Sequence, residues 1–179
     1  MPSRKPLTPP EKLLEKKTGL KLGKRIYHVY DCAVYAIHGQ PNRLVKLVSP
    51  DEACDVRGRM KCLKNIVKQN NPGVVKVFQL GSFTIRSGEF EGQHYFYVMR
   101  RLKPLKIKSK AIIIDRLAEA IENHTRPTIT IPRKLLDLVE QVKPLKLAYW
   151  DMHSGNIMQD SSGKCKFIDL EGFLPEEYD

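Results

Sequence analysis

Apolar and polar positions alternate through three short runs near the start of the chain, residues 25–30, 33–37 and 43–48, each rich in Tyr, Val and Ile. Period-two alternation predicts strands. The connections, Asp31-Cys32 and His38-Gly39-Gln40-Pro41-Asn42, are short and built from turn residues, so the three strands are expected as an antiparallel meander. The period then changes: Ala53, Val56, Met60, Leu63 and Val67 recur at helical spacing after Ser49-Pro50-Asp51-Glu52, a cap followed by proline and acids, and predict one long helix. Asn70-Asn71-Pro72-Gly73 breaks it, and two strand-like runs follow, residues 74–85 and 94–99. Further on, residues 111–123 and 132–142 read as helices, and an apolar stretch to Phe173 carries two short strands around the turn Asp160-Ser161-Ser162-Gly163. Ahead of the meander, Thr8-Pro9-Pro10-Glu11 forms a capping box with proline in the first turn, and the helix it opens is expected to stop at Gly19.

Composition changes this picture in two respects. The 179 residues are 41% hydrophobic, enough for a packed core, while Lys+Arg 31 against Asp+Glu 20 leaves a net charge of +11. Polyanions, whether nucleotides, nucleic acid, acidic protein faces or anionic lipid, are the expected partners. No run of 18 apolar residues occurs and residues 1–10 are basic and proline-rich, so the reading expects neither a membrane span nor a secretory leader, and a cytoplasmic location. Cys32, Cys54, Cys62 and Cys165 have no C-x-x-C spacing and are expected as buried free thiols.

Chemistry concentrates in one place. Tyr149-Trp150-Asp151-Met152-His153-Ser154-Gly155-Asn156-Ile157-Met158 is followed by Phe167-Ile168-Asp169-Leu170-Glu171-Gly172, so an Asp precedes an Asn by five residues and that Asn precedes a second Asp by thirteen, with a hairpin between. Two hard oxygen donors on adjacent loops suit Mg²⁺, and a further carboxylate can face an acceptor hydroxyl. The order and intervals resemble the catalytic loop and metal-binding turn of the protein-kinase-like fold. With Pro41-Asn42-Arg43-Leu44-Val45-Lys46-Leu47 before the long helix, residues 30–172 resemble the early serine/threonine kinases of lytic short-tailed bacteriophages, the T-seven group.

That resemblance implies an α+β, protein-kinase-like fold. Residues 1–19 would form a basic arm and short helix, and residues 20–102 a five-stranded antiparallel N-lobe with one helix. Residues 103–179 would form a truncated, mainly helical C-lobe. It further implies ATP and Mg²⁺ as cofactors, Asp151 beside the acceptor hydroxyl, Asn156 and Asp169 on the metal, and Lys46 on the α- and β-phosphates. Glu52 would be the partner of Lys46, although the capping box with Ser49 accounts for it equally well. Val34 and Met99 would join the nucleotide site, with Met99 or Val98 offering backbone hydrogen bonds to adenine. The implied substrates are host proteins with acidic surfaces in a bacterial host cytoplasm.

The chain departs from the kinase pattern at five points. Residues 26–35 hold no glycine where a phosphate-covering loop is expected, Leu44 stands where Ala is usual, Trp150 replaces an Arg, His153 replaces a Lys, and Asp169-Leu170-Glu171-Gly172 is one residue longer than D-F-G. Residues 173–179 are too few for the usual peptide platform, so acceptor recognition is expected to fall to the basic linker, residues 100–110, and the N-terminal arm. Two other classes stay open: a catalytically silent module binding nucleic acid or a host protein, and a small-molecule kinase.

Overall fold

The computed structural model describes residues 6–29, 31–49, 56–149 and 151–175. In chain order the elements are α1 (Pro9–Thr18), β1 (Leu22–Val29), β2 (Cys32–Ile37), β3 (Gln40–Val48), α2 (Val56–Gln69), β4 (Val77–Ile85) and β5 (Gly92–Arg100). They are followed by β6 (Lys103–Pro104), α3 (Lys110–Glu122), α4 (Arg133–Val142), β7 (Leu147–Tyr149), β8 (Ile157–Gln159), β9 (Cys165–Phe167) and β10 (Phe173–Pro175). The class is mixed α and β, with a five-stranded antiparallel sheet and four helices. Two compact units form, residues 1–60 with 77–101, and residues 61–76 with 102–179.

The first unit is built on the sheet, in the order β1-β2-β3-β5-β4. The expected meander of β1, β2 and β3 is present, and its tight turn carries Gly39 at a φ of 74°, a left-handed conformation that suits glycine. In β5 His94 through Met99 are all buried, the pattern of a strand covered on both faces. One face carries Ala33, Tyr35, Ile37, Val45, Leu47, Phe96 and Val98, and Leu14 of α1 closes this cluster. Helix α1 opens as its capping box predicts: the Glu11 carboxylate accepts the Thr8 N–H at 2.6 Å and the Thr8 hydroxyl at 2.9 Å. It closes at Gly19, whose N–H donates to the Glu15 carbonyl.

Glu11 does more than cap. It is buried, and its other carboxylate oxygen accepts the Tyr35 hydroxyl at 2.6 Å. Burial by itself raises the Glu11 pKa, but the bonds from Tyr35 and Thr8 and the charge of Arg25 outweigh it and hold the carboxyl below its ordinary 4.5. A carboxyl depressed on folding contributes stability above its unfolded value and loses it as pH falls toward the folded one. Unfolding free energy is therefore expected to decline below pH 4.5, and Glu11→Gln to flatten that acid limb in denaturant titrations. An unchanged acid limb in the variant would remove Glu11 from the account.

The sequence reading differs from the structure at the fourth strand. Residues 74–76 do not belong to it: β4 starts at Val77, and Val74 forms an isolated parallel bridge with Phe167, with the Val75 N–H donating to the Phe167 carbonyl at 2.8 Å. In the second unit α3 buries Ile114, Leu117 and Ala120, and α4 buries Leu135 and Leu138, one stripe on each helix. The two predicted short strands are β8 and β9, joined by the Asp160 turn. Cys165 is buried, and burial raises its thiol pKa, whereas Cys32 and Cys62 are only half-buried; none of the three is in a disulfide. Cys54 lies outside the described residues. Among the described residues no helix is long and apolar enough to cross a membrane.

Candidate active site

The loop between β7 and β8 is organised around Asn156. This side chain is 7% exposed, and its Nδ2 donates to the Asp151 carboxylate at 2.7 Å and to the Asp151 carbonyl at 3.0 Å. Both amide hydrogens are thus committed to Asp151. The Oδ1 atom is left as an acceptor, and no described residue donates to it. The Asn156 main chain is held as firmly: its N–H donates to the His153 carbonyl at 3.1 Å, and its carbonyl accepts the Ile168 N–H at 3.0 Å.

His153 shapes the same turn. Its Nδ1 accepts the Gly155 N–H at 3.0 Å, so that nitrogen carries no proton in this arrangement, and Nε2 stands 3.6 Å from the Asp151 carboxylate. A Cβ on residue 155 would lie 2.7 Å from the His153 ring, so a larger residue there would push that exposed ring aside.

The second carboxylate enters from the neighbouring strand. Strand β9 pairs with β8, Ile157 opposite Phe167, and delivers Asp169 two residues beyond the pair. Asp160 pins the connecting turn by accepting from the N–H groups of Ser162 and Lys164 and from the Ser162 hydroxyl. Burial tends to raise the Asp160 pKa, yet those bonds and Lys166 bring it below the usual carboxylate value. Lys166 also donates to the Pro72 carbonyl.

Asp169 itself caps a 3₁₀ turn, Leu170–Gly172, by accepting the Glu171 N–H at 3.3 Å. The extra residue in Asp-Leu-Glu-Gly is absorbed in that turn. The Asp169 carbonyl accepts the Tyr149 hydroxyl at 3.1 Å, and the Tyr149 ring lies 4.2 Å from that of Phe167 and 4.5 Å from that of Phe173. Tyr149 is a positioning residue that the sequence reading did not single out. Only the antiparallel pairing of β7 with β10, Tyr149 opposite Phe173, brings it to the Asp169 turn.

The donor set can be tested for a divalent cation. Asn156 Oδ1 and the Asp169 carboxylate are hard oxygen ligands of the kind Mg²⁺ takes while keeping several waters. No group of three His, Cys, Asp or Glu suited to a metal occurs among the described residues.

The first unit holds the other predicted residues. Across β2, β3 and β5 the register places Val34, Lys46 and Tyr97 side by side on one face of the sheet, and Ala36, Leu44 and Met99 form the next row. Lys46 is only 6% exposed, with its Nζ 5.8 Å from the centroid of the Tyr97 ring. Val34, Lys46 and Met99 are thus gathered on one sheet face in one unit, and Asp151, Asn156 and Asp169 in one loop pair in the other. Glu52, the proposed partner of Lys46, lies outside the described residues, as does Trp150.

No family model and no curated protein matches the chain. Among solved structures it is similar to the co-crystal structure of WbdD with a kinase inhibitor, at 13% identity and a TM-score of 0.49, over 88% of this chain and 34% of that one. The chain thus spans about a third of the length of that protein's chain.

Proposed function

We propose that this chain is an ATP-dependent phosphotransferase of protein-kinase-like architecture, a minimal serine/threonine kinase of the T-seven-group phage type that modifies host proteins in the bacterial cytoplasm. The observation that carries the reading is the Asn156 amide, turned by its two bonds to Asp151 so that its oxygen is free beside the strand leading to Asp169.

In this reading Asn156 and Asp169 hold Mg²⁺, which when bound neutralises charge on the transferring phosphate. Asp151 orients the acceptor hydroxyl and receives its proton at the carboxylate. Buried Lys46 binds the α- and β-phosphates, with Val34 and Met99 against the adenine and Glu52 as the partner of Lys46. The turn carrying Asp169 is braced by Tyr149, which supports a fixed position for the carboxylate.

Two measurements test the proposal. The melting temperature should rise with ATP and Mg²⁺ together and fall back on chelation, and labelled ATP should transfer phosphate to serine or threonine. No nucleotide response and no label would overturn it, and salt-sensitive retention on duplex DNA would then mark a binding module instead.

A further inference from the structure

A bulge decides which way the first hairpin presents its side chains. Along β1 and β2 the register runs from Arg25 opposite Tyr35 to Tyr27 opposite Val34, so two steps in β1 answer one in β2 and an extra residue is taken up in β1. Regular alternation would keep residues 25 and 27 on one face of the sheet. The bulge separates them. Arg25 stays with Tyr35 on the face that Leu14 of α1 closes, while Tyr27 passes to the face of Val34 and, through the next pairings, of Lys46 and Tyr97. From there the register is regular, so Val29 joins Tyr27 on that face opposite Cys32, and His28 goes with Ala33 to the other.

The hairpin is thereby sorted by charge. Its Lys46 face carries Tyr27, Val29, Cys32, Val34 and Ala36, none of them charged, and the opposite face takes Arg25 and His28. A single exposed apolar side chain is ordinary on any protein surface. What sets Tyr27 apart is its place in a row: it is 54% exposed at the outer end of a line that runs through half-buried Val34 to Lys46 at 6%. Two strand spacings, about 10 Å, separate Tyr27 from Lys46, the order of distance between the base of a nucleotide and its phosphates. Residues 26–35 hold no glycine and Val29 pairs directly with Cys32, so the hairpin has no glycine-lined main chain to lay over a nucleotide.

We infer that Tyr27 is the residue through which this hairpin holds the nucleotide, its ring packing on the face of the base while Lys46 takes the phosphates. The inference rests on the nucleotide-binding part of the proposed function and deepens it. An aromatic ring meets the π-face that every base has, so the contact adds affinity without choosing adenine over guanine. It acts on the base alone and leaves the triphosphate to Lys46 and the cation.

Isothermal titration calorimetry with Mg²⁺ and, in turn, ATP, GTP and inorganic tripolyphosphate tests this. Tyr27→Ala should weaken ATP and GTP alike by about tenfold or more, on the scale of one base–aromatic stack, and leave tripolyphosphate within about twofold. Tyr27→Phe keeps the ring and should bind all three as the parent does. His28→Ala, next in sequence but on the other face, should change none of them by more than about twofold. Because Tyr27 is largely exposed, the unliganded variants should melt with the parent. Unchanged ATP affinity in Tyr27→Ala, or equal weakening of tripolyphosphate, would overturn the role of Tyr27 and leave the nucleotide site in place. A parent protein that binds neither nucleotide nor tripolyphosphate would remove the nucleotide reading itself, and this inference with it.

Discussion

Asp169→Ala is expected to lower the rate of phosphate transfer from ATP by about 10²- to 10³-fold, the usual cost of removing one group that stabilises charge at a reacting centre. The carboxylate is a hard anionic donor that β9 brings next to the Asn156 strand, and it also accepts the Glu171 N–H that shapes its turn. Asn156→Leu should fall as far by a different route. It removes the Oδ1 acceptor and also both Nδ2 bonds that hold the Asp151 carboxylate and carbonyl. The two variants separate in their dependence on Mg²⁺: Asp169→Ala should need far more of the ion, whereas Asn156→Leu should stay slow even at saturating Mg²⁺ because Asp151 has lost its orientation. Steady-state rates over a Mg²⁺ series decide this. Full activity in either variant would remove the proposed site.

What could be read in the chain alone depended on whether the signal was local. The interval from Asp151 to Asn156 is short enough for one loop, and the hairpin between Asn156 and Asp169 announces itself through Asp160, Ser162 and Gly163, so those three site residues could be grouped without a structure. The capping role of Glu11 was equally local, a partner three residues from Thr8. Its bond to Tyr35 was not, because it joins α1 to β2 across a sheet face. The same limit explains the fourth strand. Val74 and Val75 look like the start of β4 because both are β-branched and apolar, yet their partner is Phe167, far along the chain, and a parallel bridge has no sequence signature. Tyr149 was invisible as a positioning residue for the same reason. The expected pairing of Lys46 with Glu52 rests on the resemblance alone, since a strand lysine and a first-turn acid carry no spacing rule of their own and Glu52 lies outside the described residues.

Phe167 is where that long-range order is concentrated, and Phe167→Ala should be the most damaging single change to stability in the second unit. The residue is 1% exposed, its ring meets those of Tyr149 at 4.2 Å and Phe173 at 5.5 Å, and its main chain bonds to both Gly73 and Val75. Truncating a buried phenylalanine costs about 3–5 kcal/mol, a large share of the roughly 5–15 kcal/mol that holds a domain folded. For a chain of this size the melting temperature should drop by about 10 °C. The backbone bonds survive the substitution, so the loss measures the ring. Tyr149→Phe provides the contrast: it keeps the stack and removes the hydroxyl bond to the Asp169 carbonyl, for about 1 kcal/mol. Differential scanning calorimetry of both variants tests the assignment. If the ring cluster braces the Asp169 turn, Tyr149→Phe should still lower the rate of phosphate transfer while barely moving the melting temperature; equal, small losses of stability in the two variants would show that the cluster is not the keystone of this unit.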